Sequence, residues 1–374
     1  MSNNSSPVCV LHLRDSPWVD GPGRTILETG AHVDASRVDY HIAPLCSGDE
    51  ADNPLLTAAR TRGLKVAPIK DPGGFPTALI DPIVAQIDRL GVHILHSSDF
   101  RTSVAALLAS RRRKVRLVAT AHGWIANTWR RRLVRLADKM LLRLFDRVIM
   151  VSDATRRLVP AWWLPDSRVR VLHNALVLDS YGSSVLAAPR RVVNPAQSAT
   201  IVNVGRLSPE KGQILLLQVI ASLAGRWPGL KLIFAGTGPL ERVLRETAVA
   251  LGISERVEFR GYVSDMPALY SECDLLVQSS FSEGLPNVVL EAAYLRLPMV
   301  ATDVGGTAEV VQHRRTAWLC SPTAASLSEG IEAFLTDPSS FARMGVSAHD
   351  VIVRNFSFGA RTARQTGIYE ELRQ

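Results

Sequence analysis

Two doubly wound α/β domains are what this sequence predicts, and three observations carry the prediction. Continuous apolar runs alternate with helical patterns along the first half, the rhythm breaks at residues 175–199, and the same alternation then restarts. Apolar runs without strict polar alternation read as strands buried on both faces, the mark of a parallel sheet covered by helices. A chain of 374 residues is also longer than one hydrophobic core usually organises.

In the first half the strand candidates are Val8–Leu13, Tyr40–Leu45, Lys65–Ile69, Val92–Ser97, Arg116–Ala121 and Arg147–Ser152. Gly182-Ser-Ser, Pro189 and Pro195 then punctuate the chain as a linker does. The second half offers Thr200–Val204, Leu230–Ala235, Val257–Phe259, Asp274–Gln278, Pro298–Ala301 and Ala317–Cys320. The expected boundaries are a first domain over 1–180, a linker over 181–199, a second domain over 200–355, and a terminal helix over 356–374 that packs back on the first domain. Doubly wound sheets bind ligands outside the carboxyl ends of their strands, so the loops that follow strands are where function is sought.

Hydrophobic residues at 47% and charged residues at 21% exclude a disordered chain. Cys9, Cys46, Cys273 and Cys320 lie far apart, which gives neither a zinc pattern nor a disulfide framework and fits a reducing cytoplasm. With no basic leader and no long apolar run, the chain is expected to be neither secreted nor integral to a membrane.

Charge is uneven. Residues 1–195 hold 27 Lys/Arg against 17 Asp/Glu, and residues 196–374 hold 16 against 18. The first half is therefore expected to meet something anionic: a membrane surface, a phosphorylated acceptor or nucleic acid. Within it, Trp129, Leu133, Leu136, Ala137, Met140, Leu141 and Leu144 recur at helical spacing, with Arg130, Arg131, Arg132, Arg135, Lys139 and Arg143 on other faces. The reading is a basic amphipathic helix whose apolar stripe packs on its own sheet. Its cationic face is free for reversible contact with anionic lipid on the inner face of the cell membrane.

The segment Val204-Gly-Arg-Leu-Ser-Pro-Glu-Lys-Gly212 follows a strand and leads into an apolar helix over Ile214–Leu223, with Ser208 as N-cap and Pro209 in first place. Arg206 and Lys211 at such a turn suit a diphosphate. Further on, Ser279-Ser-Phe-Ser-Glu-Gly-Leu-Pro-Asn287 turns at Gly284 and starts a helix with Pro286 in its first turn, so that free amides face the strand ends. Glu283 lies in that loop. Glu291 lies inside the helix among Val288, Val289, Leu290, Ala292 and Ala293, where a carboxylate needs a partner, either hydroxyl groups of a ligand or a cation. Gly236-Thr-Gly238 imitates a dinucleotide fingerprint, but Glu241 replaces its third glycine and no NAD site is expected.

Gly205-Arg206 with Lys211-Gly212, Phe234-Ala-Gly-Thr-Gly-Pro239, Phe259-Arg-Gly-Tyr-Val263, Glu283-Gly284 with Glu291, and Val304-Gly-Gly-Thr-Ala-Glu-Val-Val311 together resemble the donor domain of retaining GT-B glycosyltransferases of the glycosyltransferase 4 family. The resemblance spans residues 200–320 and implies two Rossmann-like domains facing across a cleft. It also implies that Arg206 and Lys211 bind a diphosphate beside Gly205, that Glu283 holds the donor sugar and that Glu291 holds the ribose. Backbone at Gly284, Leu285, Pro286 and Asn287 then completes the pocket, and Val263 meets the base. Gly21 and Gly23, in a loop before a helix over Thr25–Ala31, resemble the family's first glycine-bearing loop. His122, in Thr120-Ala-His-Gly-Trp124, resembles the histidine beside the donor sugar.

The reaction so implied is transfer of a hexose from a nucleotide diphosphate sugar to a hydroxyl of a glycan or lipid-linked acceptor, with retained configuration. His122, Arg206, Lys211 and Glu283 are the catalytic group, and no cofactor or metal is expected. No Asp-x-Asp pair or ligand-spaced histidine cluster stands in the sequence. A GT-B epimerase or phosphorylase is the alternative enzyme. The alternative of another class is a basic nucleic-acid-binding protein, for which no recognised module is present.

Overall fold

The computed structural model describes residues 6–122, 129–178, 193–195 and 197–373, the side chains of 129–135 excepted, and the chain divides into two compact units. The first comprises Met1–Asn174 with Phe358–Gln374, and the second Ala175–Ser357. Most of the expected linker over 181–199, namely residues 181–192 and 196, lies outside the described residues, as do residues 179–180.

The first unit is built on a seven-stranded sheet: β1 Val8–Arg14, β2 Val38–Cys46, β3 Ile69–Lys70, β4 Ile94–Ser97, β5 Arg116–Ala121, β6 Arg147–Met150 and β7 Val169–Val171. Its order is β3-β2-β1-β4-β5-β6-β7, with every pairing parallel. All seven residues of β1 are buried, because helices cover both faces, and this is why the run reads as continuously apolar. Sequence order reverses between β1 and β4, so the switch point lies there. β3 is shorter than the predicted Lys65–Ile69. β7 is absent from the prediction because Val169-Arg-Val171 is a three-residue edge strand whose middle residue is a surface cation, Arg170, 3.0 Å from Glu371.

The terminal helix Phe358–Arg373 belongs to this unit. It buries Ile368, Tyr369 and Leu372 against Val8, Val10 and Ile94, and Glu370 pairs with Arg37.

The helix Trp129–Leu142 differs from its sequence reading. Leu142 and Phe145 enter the core, whereas Leu136, Met140 and Leu144 are exposed. Met140 and Leu142 stand about 200° apart around a helix, so burying Leu142 turns Leu136 and Met140 outward, while Leu141 of the same expected stripe packs against the core as expected and Leu144 lies past the helix end. The predicted positions at Trp129, Arg130, Arg131, Arg132, Leu133 and Arg135 lie outside the described side chains.

The second unit repeats the plan with six parallel strands: β8 Ala199–Val204, β9 Leu230–Ala235, β10 Val257–Gly261, β11 Leu275–Gln278, β12 Met299–Thr302 and β13 Trp318–Cys320. Their order, β10-β9-β8-β11-β12-β13, places the switch point between β8 and β11. Among the described residues no helix is long and apolar enough to cross a membrane.

Candidate active site

At the switch point of the second sheet, the loops after β8 and β11 meet. Lys211 Nζ donates to Glu283 Oε1 at 2.7 Å, and the same oxygen accepts from Ser280 Oγ at 2.6 Å and Gln278 Nε2 at 3.4 Å. Oε2 of Glu283 has no partner among the described residues. Gln278 is itself fixed, since its Oε1 accepts from the Thr302 amide at 3.1 Å, while Thr302 Oγ1 donates to Ser280 O at 2.6 Å. One carboxylate is thus oriented by three strands' worth of backbone.

Two glycines let the loops close. Gly212 has φ +66°, and a Cβ there would stand 2.1 Å from Ser279 O. This corrects the predicted helix start. Ser208 and Pro209 open only a single 3-10 turn, Pro209–Lys211, and the α-helix Gln213–Leu223 begins after Gly212, whose left-handed backbone interrupts the run. Gly305 has φ +56°, and a Cβ there would stand 1.9 Å from Glu283 O, so the loop after β12 presses directly on the backbone of Glu283. Gly306 N–H donates to Gly284 O at 2.8 Å and completes that brace.

Arg206 is exposed beside Gly205, and its guanidinium has no partner among the described residues, although its carbonyl is held by Gln213 Nε2 at 3.0 Å. The Gly236–Gly238 segment packs under this turn, with Leu207 N–H donating to Thr237 O at 3.0 Å. Its glycines allow this close packing: a Cβ at Gly236 would stand 2.0 Å from Gly205 O, and one at Gly238 2.3 Å from Leu207 O.

Pro286 is the N-cap of the helix Asn287–Tyr294, one residue outside its predicted place, and Leu285 is buried beside it. The amides of Val289 and Leu290 donate to Pro286 O, while those of Asn287 and Val288 find no partner among the described residues. Unsatisfied leading amides carry the positive end of the helix dipole. Asn287 Oδ1 is also buried without a partner among the described residues.

Glu291 is buried on the same helix and accepts a hydrogen bond from Tyr270 Oη at 3.2 Å. The sequence demanded a partner for this carboxylate but did not point to Tyr270. Half-buried Val263 lies just past β10, on the sheet's carboxyl side.

In the first unit, His122 follows β5 and is half-buried, with Nε2 enclosed and without a partner among the described residues. Burial first, then the charge of Arg14, lowers its pKa to about 3, so the imidazole is neutral. Next to it runs a buried histidine network. His12 and His96, paired across β1 and β4, stack with ring centroids 3.9 Å apart. His96 contacts Tyr369 Oη and Thr120 Oγ1, each at 2.7 Å; His12 contacts Tyr40 Oη, and Ser98 Oγ at 2.7 Å. Desolvation keeps both well below the ordinary histidine range, His96 at about 3.

Gly21 and Gly23 are not in a loop. Asp20 caps a helix spanning Gly21–His32 that starts earlier than predicted, and Gly23 N–H is given to Asp20 Oδ1 at 2.9 Å, so that amide is already engaged. Sequence reasoning also missed Arg14, the buried end of β1. It bridges Asp20 at 2.9 Å and Asp99 at 2.6 Å, the N-cap residues of the helices after β1 and β4. An arginine that ends an apolar strand and precedes Asp15 is the signal that could have found it.

Cys9, Asp39 and His41 bring ligand atoms within 4.8 Å of one another, a grouping that sequence spacing did not suggest. Lys65 Nζ already holds Asp39 at 2.6 Å.

With this geometry in view, comparison with known proteins agrees on one family. Residues 19–180 match the model described as Glycosyltransferase Family 4, and residues 187–350 match that described as Glycosyl transferases group 1. An alpha-D-kanosaminyltransferase of Streptomyces kanamyceticus is 27% identical over 248 residues, 64% of this chain and 64% of that protein, just under two thirds of its length. A GDP-mannose-dependent alpha-(1-6)-phosphatidylinositol monomannoside mannosyltransferase of Mycolicibacterium smegmatis is 28% identical over 309 residues, 77% of this chain and 81% of that protein. Anabaena Alr3699/HepE, solved in complex with UDP and glucose, superposes with a TM-score of 0.81 at 20% identity, covering 97% of this chain and 100% of that one. Two parallel sheets with Rossmann-type order, two adjoining family matches and shared architecture identify the chain as a member of the group 1, glycosyltransferase family 4 type glycosyltransferases, with the GT-B fold.

Proposed function

We propose that the chain transfers a hexose from a nucleoside diphosphate sugar to a hydroxyl of a glycan or lipid-linked acceptor, with retained anomeric configuration and without a metal. The observation that carries this reading is the Lys211–Glu283 pair at the switch point, beside Arg206 and the amides of Asn287 and Val288, which have no partner among the described residues. Cations and a helix N-terminus suit a diphosphate, and a carboxylate with one oxygen left over suits sugar hydroxyls. The names of two relatives support the donor class: one is GDP-mannose-dependent, and the other was solved with UDP and glucose.

In the step proposed, the acceptor oxygen bonds the anomeric carbon and the bond from that carbon to the phosphate oxygen breaks. The acceptor proton passes to the departing diphosphate. Negative charge grows on that phosphate, so Arg206, Lys211 and the two amides act where prearranged charge is most effective. Glu291 holds the ribose and Val263 the base. His122 is assigned a hydrogen-bonding role toward the transferred sugar, which a neutral imidazole with a free Nε2 suits.

The test is release of nucleoside diphosphate from a panel of UDP- and GDP-hexoses, with glycan and lipid-linked acceptors, in the presence and absence of a chelator. Acceptor-dependent release unaffected by the chelator is expected. Failure of every donor to bind, or release that stops on chelation, contradicts the reading.

A further inference from the structure

Sugar transfer makes no use of Cys9, Asp39 and His41. Cys9 and Asp39 are paired neighbours near the start of β1 and β2, and His41 stands two residues beyond Asp39, so the three side chains share one face of the sheet. They lie toward the amino edge of the strands, away from the loops that carry Asp15 and His122. The backbone of Cys9 is held there from both sides: its N–H donates to His93 Nδ1 at 2.9 Å, and its carbonyl accepts from the His93 amide at 2.9 Å.

Each of the three residues keeps one ligand atom out of every hydrogen bond. Cys46, Cys273 and Cys320 give their thiols to Pro44 O at 3.8 Å, Leu269 O at 3.1 Å and Ala301 O at 3.7 Å, whereas the Cys9 thiol has no partner among the described residues. His41 is buried, and its Nε2 is likewise without a hydrogen bond among the described residues; Asp39 Oδ2 stands 3.1 Å away but out of line for one. Lys65 engages only the other oxygen, Oδ1, at 2.6 Å. An enclosed imidazole nitrogen left open beside a carboxylate oxygen is costly unless something comes between them.

We propose that Cys9, Asp39 and His41 bind a zinc ion, with water in the fourth position. Thiolate, imidazole and carboxylate are all zinc ligands, and tetrahedral zinc sets them about 3.3–3.6 Å apart. The ligand atoms already lie within 4.8 Å of one another, so closure needs side-chain shifts of roughly an ångström. Lys65 on Oδ1 fixes the angle of the carboxylate as an outer-shell partner does, and exposed Lys65 with half-buried Asp39 marks the side by which the ion enters. Burial, then the charge of Asp39, pushes the Cys9 thiol up to about 11; the arriving ion displaces its proton to solvent, so binding weakens on acidification. The ion ties β1 to β2 and adds stability, and the proposal does not rest on the transferase reading.

The experiment is titration of the full, metal-stripped chain with cobalt(II) and then zinc(II), followed by absorption. A sulfur-to-cobalt charge-transfer band that saturates at one ion per chain and is bleached by zinc is expected, with a higher thermal midpoint once zinc is bound. Cys9→Ser should abolish the band and weaken zinc binding by roughly tenfold or more; His41→Gln should weaken it comparably, and Cys46→Ser should change neither. Nucleoside diphosphate affinity should be equal with and without zinc, which separates this site from the donor site. Absence of the band in the unaltered chain overturns the proposal however the variants fold. So does a band that persists in Cys9→Ser, or zinc affinity unchanged in both Cys9→Ser and His41→Gln, which would leave adventitious surface binding only.

Discussion

Lys211 Nζ stands 2.7 Å from Glu283 Oε1, so two residues that the sequence assigns to different ends of a ligand, phosphate and sugar, form one ion pair. The pair is largely sheltered, its Lys211 and Glu283 side chains 25% and 9% exposed, so desolvation offsets much of its attraction and its net weight in stability is small. Its weight in the site is greater, because a diphosphate that arrives must share or displace the partner of Lys211.

From this pairing, Glu283→Gln should behave unlike an ordinary loss of a binding residue. Affinity for the bare nucleoside diphosphate should be unchanged or tighter by a few fold, since Lys211 is released and a negative charge is removed. Transfer should fall by about a hundredfold or more. Calorimetry with nucleotide and turnover with the matching donor check both; weaker nucleotide binding would remove Glu283 from the sugar end.

Glu291 and Tyr270 share a buried hydrogen bond of 3.2 Å. Glu291→Gln should weaken both the nucleotide and the nucleotide sugar to similar degrees, because the ribose is common to them. Tyr270→Phe should lower stability by about 1 kcal/mol and weaken nucleotide binding less than Glu291→Gln does. Chemical denaturation and titration of both variants provide the comparison, and an equal loss of affinity would make Tyr270 a ligand contact in its own right.

Gly305→Ala should lose most activity with folding largely retained. The new Cβ meets Glu283 O at 1.9 Å and the backbone at φ +56° disfavours a side chain, so the loop that aims Glu283 must shift. About 1–3 kcal/mol of stability should go with it. Full turnover in this variant would mean that the brace behind Glu283 is dispensable.

Stability should fall on mild acidification. His96 and His122 titrate at about 3 in the folded chain, with His12 also lowered, against an ordinary 6.5. Between those values the unfolded chain holds protons that the folded chain refuses. Stability is therefore full above about pH 6.5 and is lost as pH falls toward 3, by roughly 1 kcal/mol per pH unit for each histidine. Thermal unfolding at pH 7.5 and pH 5 tests this, a range above most carboxylate titration; an unchanged midpoint would contradict it.

The sequence made most of the scaffold legible because a parallel sheet hidden on both faces writes itself as apolar runs; Leu230–Ala235 and Arg116–Ala121 have the predicted limits. The charged edge strand at Val169–Val171 carries no such run. The turn of the helix near Met140 is not legible because Leu136, Met140 and Leu144 share a period with a core face, and periodicity alone does not say which of two apolar lines turns inward. At the site, Glu291 is legible as a carboxylate among apolar neighbours, and Lys211 and Glu283 as charges in loops that follow strands. Tyr270, Gln278 and Arg14 are not, since a tyrosine in a helix, a glutamine ending a strand and an arginine ending another acquire meaning only through neighbours far along the chain.

The central claim is that the switch point of the second sheet receives a nucleoside diphosphate on Lys211. Calorimetric titration of the preferred nucleoside diphosphate into the unaltered chain and into Lys211→Met tests it most directly, since it needs no acceptor. The account predicts binding at one site in the former and an affinity at least about tenfold weaker in the latter, the loss of one charge-assisted phosphate contact. Equal affinity in the two proteins would contradict it.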